Sequence, residues 1–462
     1  MVTVALQSVA AVLIGVALFL AIRWVGRRSP AAAVIISLGV LARAGLGIAL
    51  FWISYADLPV AASLHDGGGF WTLASDARVY YGGAVDAVHW GFGPIQSPSA
   101  RYVRALAFWL HLVGASPAAG LYLNVALFVV SAALVLAVFP VARDNRRDWP
   151  VLFCLAACSF NPALVVHSTQ PLKDTFMASA IVAACAGAYL VLRGLQSSLP
   201  PLAAARTLSI GLACLAIPFY AATGVRPYFG FMFWAAYFMG SAVVFATAAR
   251  HRLRALTVSA AALALLWGLL AFGAPAYYQE IEGRIFGGRS GLVANARGLV
   301  DEAQAGFVNT RAGTNAAGYT DEELLSGMVV GRGSWTIGRG LALNTIPVPI
   351  AERLSLFRIR GGQGLLALAD IDTLFLDATI VAFLFICATS RSSIVDNLPY
   401  FAFSVFLALV AALLLAYVVT NLGTALRLRL LFAVPLWMAA ASLVPCGRPR
   451  IGRSETPANV AV

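Results

Sequence analysis

The stretch Leu398–Thr420 reads LPYFAFSVFLALVAALLLAYVVT and carries no charged residue from end to end. As a helix rising 1.5 Å per residue it is about 34 Å long, enough to cross the ~30 Å hydrocarbon core of a bilayer. Runs of similar length and character occur near 4–22, 31–58, 119–142, 149–167, 175–192 and 207–224. Others follow near 228–249, 255–274, 371–390 and 430–446, which makes eleven predicted spans. The shorter run 102–114 has Arg101, Arg104 and His111 at its edges and predicts an amphipathic interfacial helix instead.

Composition points the same way. Of 462 residues, 60% are hydrophobic and only 11% charged, with a mean hydropathy of +0.83. A soluble domain has about a quarter of its residues charged. So few charges exclude a soluble enzyme, a disordered chain and a nucleic-acid-binding domain. The expected fold class is an all-α polytopic integral membrane protein, with the lipid bilayer as its first partner and no nucleic acid.

The net charge of +12 is therefore read through topology. Arg23, Arg27 and Arg28 follow span one, Arg143, Arg146 and Arg147 follow span three, and Arg250, Arg252 and Arg254 follow span seven. Arg193 and Arg206 bracket the loop between spans five and six. Arg391 follows span nine, and Arg448, Arg450 and Arg453 lie in the tail. All these loops fall on one side if the N-terminus is outside and the C-terminus cytoplasmic. The first segment has neither a basic n-region nor a small-residue cleavage site, so a retained anchor is expected.

Divided this way, 1–58 holds the first helices, 59–118 an outer loop with the interfacial helix, and 119–274 a transmembrane core. A large outer loop covers 275–370, further helices 371–446, and a cytoplasmic tail 447–462. The large loop has as many acidic residues as arginines and is neutral overall. Within it, Thr320 and Glu323 form a capping-box start, and Gly313–Gly318 is small and polar. No internal or inverted repeat is visible.

Polar groups concentrate at the outer ends of the spans. Asp76 and Tyr80 are four apart and share a face of any helix they occupy. A carboxylate there suits general-base work on an acceptor hydroxyl; the alternative is a helix-capping role with a pairing to Arg78 or Arg101. His65 and Asp66 precede three glycines, which mark a turn. Lys173, the one lysine of the chain, offers a compact charge for phosphate, or else pairs locally with Asp174 at a helix start. Arg226 with Tyr228, and Arg427 with Arg429, put cations in short outer loops against the positive-inside bias. A phosphate or pyrophosphate headgroup accounts for them through charge-assisted bonds, and snorkelling to lipid headgroups is the alternative.

Arg43 falls within span two, where a buried charge costs ~2.5–3.5 kcal/mol; sliding that span toward residue 62 would place it at the cytoplasmic interface. Only Asp377 lies clearly inside a span, and His167 reads as a satisfied interfacial histidine. The six cysteines, Cys154, Cys158, Cys185, Cys214, Cys387 and Cys446, form no CxxC pair and read as small core residues. No ligands stand at metal spacing, so no metal site or cofactor is assigned and a role for a divalent cation stays open.

Taken together, Asp76-Ala-Arg-Val-Tyr80, the helix at 102–114, Thr169-Gln-Pro-Leu-Lys-Asp174, Arg226-Pro-Tyr228 and Asn421-Leu-Gly-Thr-Ala-Leu-Arg427 resemble bacterial envelope glycosyltransferases of the GT-C superfamily. The resemblance implies a polytopic enzyme of the cytoplasmic membrane that moves a sugar from a polyprenyl-phosphate-linked donor to an envelope glycan, lipid or protein acceptor. It implies catalytic roles for Asp76 and Asp174, with Asp57 and Asp66 competing for the first-loop position. Lys173, Arg226, Tyr80, Arg427, Arg429 and Tyr228 would bind substrate. The helix at 4–22 is an addition to the superfamily pattern. A membrane-embedded polysaccharide polymerase or ligase, a lipid-linked oligosaccharide transporter, and a non-catalytic scaffold are the alternatives.

Overall fold

Three helices start on the same device, a short polar residue followed by proline. Ser29, Ser116 and Asn161 each accept a hydrogen bond from a backbone N–H of the first turn, at 3.2, 3.2 and 2.8 Å. The proline that follows has no N–H to leave unpaired there, and its φ suits a helix. The protein is described as a computed structural model over residues 2–92, 95, 99–139, 148–196, 201–247, 252–275, 278–279, 298, 334–353, 363–418 and 422–444. The expected capping box at Thr320, the Gly313–Gly318 stretch, Arg143, Arg146 and Arg147, and the tail from 447 lie outside these residues.

The described chain is almost entirely helical. Its helices are α1 (Val2–Arg28), α2 (Pro30–Tyr55), α3 (Ser75–Trp90), α4 (Ala100–Val113), α5 (Pro117–Val138) and α6 (Trp149–Phe160). Next come α7 (Pro162–His167), α8 (Lys173–Gln196), α9 (Pro201–Thr223), α10 (Pro227–Thr247), α11 (Arg252–Gly273) and α12 (Ser334–Thr345). The last are α13 (Val348–Arg353), α14 (Gln363–Thr389), α15 (Arg391–Asp396), α16 (Leu398–Val418), α17 (Leu422–Leu428) and α18 (Leu430–Ala441). Among the described residues nine helices are long and apolar enough to cross a membrane: α1, α2, α5, α8, α9, α10, α11, α14 and α16. This is a multi-pass membrane architecture.

Of the other two predicted spans, 149–167 is broken into α6 and α7, and 430–446 holds the short helix α18, which α17 precedes. Asn124 of α5 donates to the carbonyls of Ser168 and Gln170, at 3.0 and 2.7 Å, just before α8 begins. The start of α5 therefore lies beside the start of α8, and the chain between them must retrace the length of α5. Helices α6 and α7 do this, rising about 28 Å together. Likewise Asn397, before α16, donates to the carbonyl of Ser442 after α18 at 3.0 Å, so α17 and α18 run back along α16.

Pro162 causes the first break. It has no N–H for the carbonyl of Cys158, and the N–H of Ala163 turns to Asp372 Oδ1 (3.2 Å) instead of Ser159. Both orphaned carbonyls are taken by Arg43, whose Nη2 donates to Cys158 O (2.8 Å) and Nη1 to Ser159 O (2.7 Å). Its guanidinium also stacks 4.0 Å from the centre of the Phe128 ring. Arg43 is thus not at an interface, as a shifted second span had suggested. It is 1% exposed in the middle of α2, because its charge completes the end of α6.

Asp372 completes the junction from the other side. Its Oδ1 accepts from Asn161 Nδ2 (3.0 Å) as well as Ala163, and its Oδ2 accepts from Arg429 Nη1 (2.9 Å) at the joint of α17 and α18. Arg429 Nε donates to Asn344 of α12 at 3.1 Å. Two broken helices are tied together by one buried carboxylate.

The rest is close packing. A Cβ on Gly187 of α8 would overlap the backbone of Cys214 and Leu215, and one on Gly211 would meet Leu190 and Val191, so small residues let α8 and α9 touch. At the α3 end of the bundle, a hairpin of β1 (His65–Gly67) and β2 (Phe70–Trp71) turns through Gly67, Gly68 and Gly69, all at positive φ. A Cβ on Gly69 would enter the ring of Phe51. Ser54 donates to Phe70 O (2.6 Å) and Trp71 Nε1 to Leu50 O (2.9 Å), which fastens the hairpin to the last turns of α2.

The junction yields a stability test. Asp372→Leu alone takes the acceptor from Arg429, Asn161 and the Ala163 N–H and should cost ~3–5 kcal/mol, whereas Asp372→Leu with Arg429→Met should cost less than the sum of the two single changes. Thermal unfolding in micelles reads both; an additive loss in the double variant would contradict the pairing.

Candidate functional site

Charged side chains from four parts of the chain meet at the α3 end of the bundle. Asp76, in the first turn of α3, accepts from Arg427 Nη1 of α17 at 2.7 Å, across 351 positions of sequence. Asp174, in the first turn of α8, accepts from Arg226 Nη2 at 2.8 Å, and Arg226 Nη1 donates to the hydroxyl of Tyr228 at 2.9 Å. Lys173 Nζ donates to the Ser99 hydroxyl at 2.7 Å and lies 5.4 Å from the Tyr80 ring centre. Ser99 also bonds the Tyr80 hydroxyl. The Lys173 ammonium interacts with Arg226, Asp174, Asp76 and Arg427, so these are one electrostatic unit.

Burial separates the two carboxylates. The Asp174 side chain is 2% exposed and its partner Arg226 12%, whereas Asp76 is 48% exposed beside an Arg427 that is 20% exposed. Asp174 is locked, and Asp76 can reach a ligand. Burial raises the Tyr80 hydroxyl above its ordinary range, against the opposing bond from Ser99, so the phenol remains a donor at neutral pH. Among the described residues three cations, Lys173, Arg226 and Arg427, face two carboxylates, Asp76 and Asp174. Among the described residues Lys173 has no carboxylate partner.

Seven of the residues singled out in the sequence therefore come together: Asp76, Tyr80, Lys173, Asp174, Arg226, Tyr228 and Arg427. Two do not. Asp66, in the hairpin, faces Arg78, whose Nη1 lies 3.3 Å from Oδ1 and 2.6 Å from the Asp66 carbonyl. Arg429 is withdrawn into the Asp372 junction and is 3% exposed, out of reach of a ligand at Asp76. Neither local alternative is seen for Asp76. Arg78 is held by Asp66, and Arg101 is spent on the carbonyls of Tyr220, Phe272 and Gly273. Lys173 and Asp174 also turn to different partners rather than to each other.

Ser99, Asp372 and Asn344 were not foreseen. Ser99 carries no pattern a sequence reveals. Asp372 sits one residue inside a predicted span, where an acidic residue is by default a functional or pairing group. His167 is buried and, among the described residues, its Nδ1 has no hydrogen-bond partner, so it is not the satisfied interfacial histidine expected. Among the described residues no group of three or more His, Cys, Asp or Glu is arranged to hold a metal ion.

No protein-family model matches the chain, and no curated protein or solved structure matches it either. The chemistry of the site rests on its geometry, and the burial contrast is measurable. Double-mutant cycles should give a coupling of ~3 kcal/mol or more for Asp174–Arg226, and under ~1 kcal/mol for the more exposed Asp76–Arg427. Equal couplings, read by thermal unfolding, would contradict the distinction between a locked and an accessible carboxylate.

Proposed function

We propose that the protein is a glycosyltransferase of the bacterial cytoplasmic membrane, taking a sugar from a polyprenyl-phosphate-linked donor on the extracytoplasmic side. The observation that carries this reading is the convergence of Lys173, Arg226 and Arg427 with one accessible carboxylate, Asp76, at one end of a membrane bundle. With the N-terminus outside and the C-terminus cytoplasmic, that end faces away from the cytoplasm. The resemblance of the same segments to GT-C enzymes supports the assignment.

In this mechanism the donor phosphate binds between Lys173 and the two arginines. Phosphate competes with Asp76 for Arg427 and frees the carboxylate. Asp76 then takes the proton of the acceptor hydroxyl as its oxygen attacks the anomeric carbon. The bond from that carbon to the phosphate oxygen breaks, and polyprenyl phosphate leaves with its negative charge matched by the cations. Asp174, held by Arg226, keeps that guanidinium aimed at the phosphate. A divalent cation, were one to take part, would be held by Asp76 and would supply further positive charge for the leaving phosphate.

A second reading is favoured by one observation. Paired broken helices joined at buried polar residues are a feature of many transporters, and α6–α7 and α17–α18 meet in that way at Asp372. Under that reading the protein moves a lipid-linked oligosaccharide and transfers nothing.

Release of free polyprenyl phosphate separates the two. Protein in nanodiscs, given polyprenyl-linked lipids and acceptors from its host, should release it, and Asp76→Asn should slow release at least ~100-fold with unchanged thermal stability. Equal release by Asp76→Asn would move the base elsewhere. No release by the wild type, with lipid-linked sugar crossing the bilayer, would establish transport instead.

A further inference from the structure

A second set of polar atoms surrounds the turn between α7 and α8. Among the described residues, Tyr102 Oη, Asn124 Oδ1, His167 Nδ1 and both amide atoms of Gln170 are buried without a hydrogen-bond partner. The four side chains are 0, 0, 5 and 3% exposed. They belong to one place. Asn124 Nδ2 bonds the carbonyl of Gln170, His167 interacts with Asp174, Arg226 and Arg427, and Tyr102 interacts with Asp174 and packs edge-on against Tyr80. Asp174 is a neighbour of both His167 and Tyr102.

The turn as a whole is not short of partners. The hydroxyls of Ser168 and Thr169 bond the carbonyls of Val165 and Val166, both at 2.7 Å. Yet the two side chains flanking them, His167 and Gln170, do not pair. Buried polar atoms are almost always hydrogen-bonded in folded proteins, and several orphans in one spot need a reason. Their chemistry is specific. An amide, an imidazole and a phenol carry no net charge when neutral and offer donors and acceptors in similar number. That suits neither a phosphate nor a cation, which the neighbouring ions already serve. It suits a neutral group bearing several hydroxyls.

We propose that Gln170 and His167, with Asn124 and Tyr102 behind them, form the subsite that recognises the hydroxyls of the transferred sugar. This rests on the reading of Lys173, Arg226 and Arg427 as a lipid-phosphate site. The sugar sits next to its phosphate, and Asp174 interacts with members of both sets, Lys173, Arg226 and Arg427 on one side and His167 and Tyr102 on the other. Because the Gln170 amide makes no hydrogen bond, it rotates toward a ligand without breaking one. A sugar lacking one hydroxyl leaves a buried group unpaired, which is how such a site discriminates between sugars.

The test compares the affinity of bare polyprenyl phosphate with that of polyprenyl phosphate carrying glucose, galactose, mannose or arabinose, in nanodiscs. The wild type should bind at least one glycosylated lipid tenfold or more tighter than the bare lipid. Gln170→Leu and His167→Phe should each cut that gain to threefold or less while leaving bare-lipid affinity unchanged, which also reports that the variants fold. Gains preserved in both variants, or no gain for any sugar in the wild type, would overturn the subsite. If the wild type does not bind even bare lipid, the phosphate site falls and the subsite with it.

Discussion

Pro162 removes a backbone N–H from the middle of an apolar stretch, and the surrounding structure is organised around the carbonyls it leaves behind. In lipid there is no water to take them, so the protein must supply donors itself. Arg43 does so from α2, and Asp372 takes the freed N–H of Ala163 from α14. A charge that would be costly alone is repaid by the dipoles it completes. Removing either partner leaves an uncompensated group in a medium that cannot screen it.

The same constraint positions the site. Asp372 holds Arg429 at the joint of α17 and α18, and Arg427 stands two residues earlier, directed at Asp76. The break also shortens α7, so that His167 and the turn after it come to lie beside Asp174. The hairpin that leads into α3 is fastened to α2. The charges that meet at the α3 end are therefore set by packing deeper in the bundle. This explains how residues 351 positions apart reach a 2.7 Å contact.

Much of this was legible in the sequence, and the reasons differ by residue. The spans were visible because long uncharged runs have one physical solution. Asp76 and Tyr80 were legible by helical spacing, Lys173 as the one lysine of the chain, and Arg226 and Arg427 by their place in loops that should be poor in cations. Asp66 and Arg429 show the same surface features and go elsewhere, since sequence cannot reveal that Arg78 or Asp372 waits as a partner. The break at Asn161-Pro162 was a readable helix-start signal inside an apolar run, but hydropathy alone merges it into one span. Orphaned atoms such as those of Gln170 emerge only from three-dimensional packing.

The claim on which the function depends is that Lys173, Arg226 and Arg427 hold one lipid phosphate. A cryo-EM structure in nanodiscs loaded with polyprenyl phosphate tests it directly. The account predicts phosphate density within hydrogen-bond distance of Lys173 and Arg226, with Arg427 drawn from Asp76 toward it. Density elsewhere, with the Asp76–Arg427 pair intact and Lys173 still on Ser99, would contradict it.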